Sequence, residues 1–313
     1  MAGAEKPVPS SAAVNNAPPN EDYVYFEESR DHPFLHGSGG FEYVNAWWLA
    51  EASLLAYADP DFAVPRFRDA GFSEVERFSD ESTQCYAVQH EDFIIVAFSG
   101  SDMRNRKDTD STSDILTDWL VNLDAGMVDS ERGGRVHKGF QGALDEIWDP
   151  PGKDEDERLK SYLNGICEDG RRKVWFTGHS LGAALATLAS GRYEHAPELY
   201  TFGSPRVGDR AYAESLSCHA HRFVHDRDIV CKVPLSGPYD HVGTTKYIDD
   251  EGVIHDEHEE QDESGGLLQS LTSTIGSVSA ISAKLVRGMP DDYLTDHAPI
   301  FYAVHVWNNY VRS

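Results

Sequence analysis

Apolar residues follow two spacings along this chain, and each spacing predicts a different element. Large apolar side chains recur at helical spacing up to Pro60, which predicts a helix over residues 44–57. Two β-rich runs, residues 85–89 and 93–98, then flank a short polar turn and predict a β-hairpin. The first elements of the chain are therefore expected to be a helix followed by a sheet.

Beyond the hairpin, apolar runs of strand length alternate with segments of helical spacing. The strands are expected at residues 173–177, 198–202 and 222–225, and the helices at residues 183–192 and 209–217. This alternation predicts an α/β fold with a mostly parallel central sheet and helices on both faces. Functional residues in such sheets lie at the carboxyl ends of the strands. A further amphipathic helix is expected over residues 265–287.

Composition distinguishes a short N-terminal segment from the rest of the chain. Residues 1–20 are rich in Pro, Ala, Ser and Asn without periodicity, which is typical of a flexible tail. No repeat or shift in composition divides residues 21–313, so they are expected to form one domain. No basic segment followed by an apolar one opens the chain, so both an intracellular protein and a trimmed, mature secreted form fit the sequence.

Charge and cysteine content narrow the function classes. The chain has 27 Lys and Arg against 53 Asp and Glu, a formal net charge of −26, which disfavours nucleic acid as a partner. No run of about 18 apolar residues is present, so no transmembrane segment is expected. Four scattered cysteines show neither a zinc spacing nor a disulfide framework, although a Cys218–Cys231 bridge stays open.

The stretch "VWFTGHSLGAALATLAS", residues 174–190, places a serine at the junction of a predicted strand and a predicted helix. A serine nucleophile needs a sharp turn that projects its hydroxyl, and only small residues fit two positions before and after it, as Gly178 and Gly182 do here. Ser180 is therefore the predicted nucleophile, and the N–H of Leu181 the first oxyanion donor. His179 should point away from the Ser180 hydroxyl, since adjacent residues on a tight turn diverge.

A serine nucleophile also needs a base and an acid that orients the base. Asp226 and Asp228 both follow a predicted strand, and Asp228 is preferred because the apolar pair after it can anchor it. The candidate histidines are His241, His255, His258, His297 and His305. His297 is favoured because it begins the final apolar helix, where a loop can carry it over the sheet, whereas His305 lies inside that helix. Gly100 allows a close backbone approach at a neighbouring strand end, which makes Ser101 the candidate second oxyanion donor.

Taken in order, these segments resemble the class 3 lipases, the fungal-lipase-like branch of the α/β-hydrolases. The resemblance covers about residues 40–310 and rests on "VAFSGSD", "DILTDWLVNLDAG", "GRVHKGFQGALDEIW", the serine stretch, "LYTFGSPRVGDRAYAESL", "RFVHDRDIVCKVP" and "DHAPIFY". It implies an α/β-hydrolase fold and the same site residues: Ser180, Asp228 and His297 as the catalytic triad, with Ser101 and Leu181 as oxyanion donors. It implies no cofactor and no metal.

The resemblance implies a carboxylic ester hydrolase, in first place a triacylglycerol lipase that acts through an acyl-enzyme and contacts a lipid interface transiently. Phospholipases, monoacylglycerol lipases and feruloyl esterases share these motifs. Two alternatives stay open, a feruloyl or small-ester carboxylesterase with the same triad and a catalytically silent lipase-like binding protein. Residues 101–120 are more charged than the short lid of fungal relatives, and the acidic residues 255–263 are interpreted as a solvated loop rather than a metal site.

Overall fold

The protein was analysed as a computed structural model, which describes residues 3–10, 20–80, 83–100, 126–167, 172–195, 197–234, 236–256 and 295–313. The strands are β1 (Glu74–Ser79), β2 (Gln84–Gln89), β3 (Phe93–Phe98), β4 (Met127–Asp129), β5 (Arg135–His137), β6 (Lys173–His179), β7 (Glu198–Phe202), β8 (His219–His225), β9 (Thr244–Ile248) and β10 (Ile254–Asp256). The helices are α1 (Tyr43–Leu55), α2 (Pro60–Asp69), α3 (Lys138–Trp148), α4 (Leu159–Ile166), α5 (Leu181–Arg192), α6 (Arg210–Ser215) and α7 (Pro299–Arg312), with short 3-10 turns at Glu155–Glu157 and Val230–Lys232.

The central sheet has the strand order β1-β2-β3-β6-β7-β8-β9-β10. Strands β3, β6, β7, β8 and β9 are parallel to one another, whereas β1, β2 and β10 add antiparallel edges. The predicted hairpin is β2 and β3, and the predicted mostly parallel sheet is confirmed. The small strands β4 and β5 form a separate antiparallel pair.

Helices cover both faces of this sheet, as predicted. Alternate residues of β3 point to opposite sides: Ile95 packs into the core that holds α1, α2 and α7, and Ile94 packs into the core that holds α3, α4 and α5. Every residue of β3 is buried, which explains why its sequence is an unbroken apolar run. The small residues of α5 are also buried almost throughout, so this helix lies close against the sheet.

The strand register brings the carboxyl ends of the parallel strands to one level. Phe98 at the end of β3 pairs with Gly178, His179 at the end of β6 pairs with Phe202, and Phe202 at the end of β7 pairs with Phe223. The loops that follow these strands therefore begin side by side, and β8 ends nearby at His225. This edge of the sheet is where the predicted site residues are expected.

Element boundaries depart from the sequence prediction mainly at their ends. The first helix begins one residue early and ends at Leu55, and the helix predicted over 183–192 begins at Leu181. The strand predicted over 222–225 begins at His219, because its first residues pair with β7 although they are partly exposed. The predicted helix over 265–287 and the charged segment 101–120 lie outside the described residues.

The N-terminal segment differs from the flexible tail that its composition predicts. The Trp307 indole donates a hydrogen bond to the Ala4 carbonyl at 2.8 Å, and the Lys6 backbone exchanges two hydrogen bonds with the Asn308 side chain. The Lys6 ammonium lies 3.5 Å from the buried carboxylate of Glu51 on α1. These contacts hold Ala4 and Lys6 against α7 and α1, because side chains of the two helices provide polar partners that composition does not reveal.

The open questions about cysteines and membrane segments have structural answers. None of the four cysteines forms a disulfide, so the Cys218–Cys231 bridge is not formed. The Cys218 Sγ atom instead lies 3.8 Å from the Ser190 hydroxyl. Across the described ranges, no helix has the length and apolar character needed to span a bilayer.

Candidate active site

Ser180 occupies a strained turn between β6 and α5. Its backbone has φ 59° and ψ −127°, a conformation that costs a non-glycine residue of order 1–3 kcal/mol and clusters at functional sites. The Ser180 N–H donates to the Phe202 carbonyl at 3.0 Å, which fixes the turn to the neighbouring strand β7. The sharp strand-to-helix turn that the sequence predicts is present.

The two glycines of this turn are required by space. A Cβ atom on Gly178 would lie 2.3 Å from the Gly182 carbonyl oxygen, and one on Gly182 would lie 2.3 Å from the Phe98 carbonyl oxygen. Both distances are far below any real Cβ contact. The close approach inferred from the sequence therefore holds, and Gly182 also lets α5 pass directly beside the end of β3.

Leu181 is the first residue of α5. First-turn N–H groups of a helix have no partner within the helix and carry its positive dipole end, so this N–H suits a developing negative charge beside Ser180. Ser101, the predicted second oxyanion donor, lies outside the described residues. Gly100, directly before it, is described and follows the end of β3.

Asp228 and His297 form a buried pair. The His297 Nδ1 atom lies 2.9 Å and 2.8 Å from the two Asp228 carboxylate oxygens. The Asp228 side chain is fully buried, and it also accepts hydrogen bonds from the Val230 N–H at 2.9 Å and the Tyr302 hydroxyl at 2.5 Å. Burial alone raises the pKa of Asp228, but His297 and the Tyr302 hydroxyl outweigh it and lower this pKa to about 2.

The other ring nitrogen of His297, Nε2, has no hydrogen-bond partner among the described residues. Its Nε2 atom is buried and makes no hydrogen bond within the part of the chain that the structure describes. With Nδ1 bonded to a carboxylate, Nδ1 carries the proton and Nε2 keeps its lone pair. The arrangement is therefore that of a general base, oriented from one side by a buried acid.

The structure pairs Asp228 with His297, and the alternative residues that are described lie elsewhere. Asp226 hydrogen-bonds to the Tyr247 hydroxyl at 3.2 Å and to Arg227, away from His297. His241 is buried with its pKa lowered by burial and by two arginines. His255 bonds to Asp249, and His305 lies within α7 beside the His225 ring. His258 lies outside the described residues.

His179 makes its hydrogen bonds away from Ser180, as the sequence predicted for its chain neighbour. Its Nδ1 atom lies 2.8 Å from the Tyr57 hydroxyl, and its Nε2 atom lies 2.7 Å from the His297 carbonyl oxygen. Burial and the adjacent His297 lower the pKa of His179 well below its usual value. Both ring nitrogens are thus occupied, so His179 is not a free base.

Three residues of this site were missed by sequence reasoning. Tyr302 donates to Asp228, Tyr57 contacts His179, and Gly203 follows β7 with φ +60°. A Cβ atom on Gly203 would lie 2.8 Å from an Asp228 oxygen and 3.0 Å from the His297 ring. Tyr302 stands in the block "DHAPIFY" and Gly203 in "FGSPRVG", so each lay in a recognised motif, but spacing alone shows no contact.

Most of the acidic segment, residues 255–263, lies outside the described residues. Of residues 255–263, His255 and Asp256 are described, and the His255 Nε2 atom lies 2.6 Å from an Asp249 oxygen. Nowhere in the described ranges do three or more His, Cys, Asp or Glu side chains form a group able to hold a metal ion.

Comparisons with known proteins find lipases among the relatives of this chain. Residues 95–237 match the family described as Lipase (class 3). Secreted mono- and diacylglycerol lipase A of Penicillium cyclopium is 36% identical over 100 residues, which are 30% of this chain and 33% of that protein. A lipase of Rhizomucor miehei is 32% identical over 152 residues, which are 44% of this chain and 40% of that protein. The matches therefore span well under half the length of these relatives.

A solved structure extends the likeness to the fold. It is a triacylglycerol lipase described by its serine protease triad, with a TM-score of 0.54 and 24% identity, over 70% of this chain and 87% of the other. The fold is that of the α/β-hydrolases, as the sequence predicted. Within this fold, residues 95–237 are similar to the class 3 lipase family.

We expect Gly203→Ala to disturb the acid–base pair directly, because the added methyl group would meet Asp228 and His297. The positive φ adds about 1–2 kcal/mol of strain for any residue with a Cβ. A displacement of about 1 Å at the pair should slow ester hydrolysis about 10²-fold. Gly142→Ala is the matched control, since nothing lies within 4 Å of its Cβ position on α3. Equal urea midpoints and equal rates for the two variants would contradict this expectation.

Tyr302→Phe is expected to destabilise the protein in a pH-dependent way. It removes one donor to the charged Asp228 and should lower the free energy of unfolding at pH 7 by about 1.5–3 kcal/mol. The pKa of Asp228 is depressed in the folded state, so the stability it provides is present above about pH 4 and is lost as pH falls towards 2. The difference from wild type should therefore shrink over that range.

Urea unfolding at pH 7, 5, 4 and 3 measures this difference. Tyr162→Phe is the control, because the Tyr162 hydroxyl bonds to the neutral Gln89 side chain. A Tyr302→Phe difference that stays constant down to pH 3 would show that the hydroxyl does not stabilise an ionised Asp228.

Proposed function

We propose that this protein hydrolyses carboxylic esters through an acyl-enzyme on Ser180, and that acylglycerols, triacylglycerols in first place, are its substrates. The observation that carries the proposal is the His297 ring. One nitrogen is held by both oxygens of the buried Asp228, and the other is buried without a partner among the described residues. The ring packs against His179, whose chain neighbour Ser180 lies in a strained turn. This combination serves a base that receives a proton from a hydroxyl.

In the first half of the proposed reaction, the Ser180 Oγ atom attacks the ester carbonyl carbon. The His297 Nε2 atom takes the Ser180 proton, and the carbonyl electron pair moves onto oxygen. The Leu181 N–H and, as we propose, a second donor from Ser101 stabilise this oxyanion. The intermediate then collapses, the bond to the alcohol oxygen breaks, and His297 gives the proton to the leaving alcohol.

In the second half, water replaces the alcohol. His297 takes a proton from water as the oxygen attacks the acyl carbon, and it returns the proton to the Ser180 oxygen when the fatty acid leaves. Asp228 holds the imidazole in the tautomer with hydrogen on Nδ1 and stabilises the positive charge that forms in both halves. Its low pKa keeps Asp228 ionised at neutral pH.

The comparisons support this choice of substrate class. The similar proteins are named as mono- and diacylglycerol lipase, lipase, triacylglycerol lipase and phospholipase A1. All of these names denote hydrolysis of acyl esters of glycerol. The word "secreted" in the Penicillium name agrees with the secreted form among the two compartments that the sequence leaves open.

The test is acid release in a pH-stat from tributyrin and from emulsified triolein, measured across the solubility limit of tributyrin. Wild type should release acid from both, and Ser180→Ala should reduce the rate by about 10⁶-fold, to the background. Ser190→Ala is the control, because Ser190 is a buried serine on the same helix whose hydroxyl donates to the Thr187 carbonyl.

Other results would redirect the proposal. Activity on dissolved tributyrin alone would indicate a small-ester carboxylesterase, and activity on feruloyl esters alone would indicate a feruloyl esterase. Inactivity of the folded wild type towards all of these esters would favour the catalytically silent binding protein. Activity that persists in Ser180→Ala would contradict the assignment of the nucleophile.

A further inference from the structure

A buried chain of hydrogen bonds links the two sides of the proposed site. The Tyr57 hydroxyl lies 2.8 Å from the His179 Nδ1 atom, and the His179 Nε2 atom lies 2.7 Å from the His297 carbonyl oxygen. The Gly100 backbone lies directly against the Tyr57 hydroxyl, which is 2.0 Å from where a Cβ atom on Gly100 would be. The chain therefore joins the end of β3, the end of β6 and the residue before α7. None of the roles proposed above for the triad uses Tyr57 or His179.

The direction of every hydrogen bond in this chain follows from one constraint. A carbonyl oxygen only accepts, so the proton of the His179 ring must be on Nε2. Nδ1 then has a lone pair and must accept, so the Tyr57 hydroxyl donates to it. The Tyr57 oxygen in turn packs against the Gly100 backbone. Each of these groups is satisfied in a single consistent arrangement.

The hydrogen-bond chain holds the backbone of His297, whereas Asp228 holds its ring. The carbonyl of His297 is held by His179, and the Nδ1 atom is held by Asp228. The two rings of His179 and His297 lie with their centroids 4.4 Å apart, so the neighbour of the nucleophile also supports one face of the base. Two separate anchors of this kind define both the position and the orientation of an imidazole.

Gly100 is tightly packed against Tyr57, at the other end of the hydrogen-bond chain. A Cβ atom at Gly100 would lie 2.0 Å from the Tyr57 hydroxyl oxygen and 3.2 Å from the His179 carbonyl oxygen. Only a glycine can therefore occupy this position against the Tyr57 hydroxyl. The main chain that leaves β3 is therefore tied to the same histidine that ties the base.

We infer that His179 and Tyr57 are positioning residues of the ester hydrolase proposed above: His179 fixes the backbone of His297, and Tyr57 fixes the tautomer of His179 and the backbone of Gly100. The inference rests on the proposed function for its effect on rate. Burial and the nearby His297 keep the pKa of His179 well below its usual value, so the ring stays neutral and can accept from Tyr57. Burial also raises the pKa of Tyr57, which keeps its hydroxyl protonated as a donor.

Two substitutions of His179 separate the two halves of the chain. In His179→Gln the side-chain amide can place its NH₂ group where Nε2 stood, so the bond to the His297 carbonyl is kept and the acceptor for Tyr57 is lost. In His179→Asn the shorter side chain can accept from Tyr57 near the old Nδ1 position but leaves the His297 carbonyl without a donor. Tyr57→Phe removes the hydroxyl alone.

On dissolved tributyrin we expect kcat to fall about 10²-fold in His179→Asn, because a displaced base loses its alignment with the serine. His179→Gln and Tyr57→Phe should lose about tenfold or less, and KM should stay within about twofold throughout, since substrate contacts are unchanged. Tyr212→Phe is the control: it deletes the hydroxyl of a buried tyrosine that bonds to the Thr187 carbonyl at 3.3 Å and takes no part in this hydrogen-bond chain. It should lower the melting temperature and leave kcat unchanged.

A second measurement does not depend on activity. The proton on His297 Nδ1, bonded to Asp228, should give a far-downfield NMR resonance that persists in His179→Gln and shifts or broadens in His179→Asn. Equal losses of kcat in the Gln and Asn variants, or an unshifted resonance in the Asn variant, would overturn the inference. If folded wild type hydrolyses none of the esters, the proposed function fails, and the resonance still decides whether His179 positions His297.

Discussion

The buried carboxylate of Asp228 is the constraint on which the site depends. A charged group with no exposed surface is costly unless several donors surround it, and here three elements supply them. The Val230 N–H belongs to its own loop, the Tyr302 hydroxyl comes from the first turn of α7, and the His297 ring comes from the residue just before that helix. Solvating one charge thus fixes the C-terminal helix against the loop after β8.

A second constraint is the level at which the parallel strands end. The pairing of Phe98 with Gly178 and of His179 with Phe202 places the loops after β3, β6 and β7 beside one another. Ser180 then enters a strained conformation because α5 must begin directly over this edge. Glycines at positions 178, 182 and 203 are the local consequence, since each would otherwise meet a carbonyl oxygen or the acid–base pair.

Much of this arrangement is readable from the sequence. Apolar runs of strand length that alternate with segments of helical spacing predicted the parallel sheet, and the small residues around Ser180 predicted the turn. Both predictions succeeded because the patterns are local. The preference for Asp228 over Asp226 rested on the following apolar pair, and the structure has Asp226 turned towards Tyr247. The preference for His297 rested on its place before α7, and the structure has that residue bonded to Asp228.

What the sequence could not supply is contact between distant residues. Tyr302 and Asp228 are 74 positions apart in the sequence, and Tyr57 and His179 are 122 positions apart, yet each pair is hydrogen-bonded. Lys6 likewise lies near Glu51 only in the folded chain. No periodicity encodes such pairs. A Pro- and Ala-rich composition predicted mobility in a segment where Ala4 and Lys6 are in fact hydrogen-bonded to α7. Propensity and spacing report local structure, whereas these side chains find their partners only after the sheet has formed.

The central claim is that Ser180 is made nucleophilic by His297 and Asp228, and covalent labelling tests it most directly. The folded protein would be treated with a fluorophosphonate, and the modified peptide would be identified by mass spectrometry in wild type and in Asp228→Asn. The account predicts a single modification at Ser180 and a labelling rate about 10⁴-fold lower in the folded variant, because the asparagine no longer holds the productive tautomer. Absence of labelling in wild type, modification at another residue, or equal rates in the two proteins would contradict it.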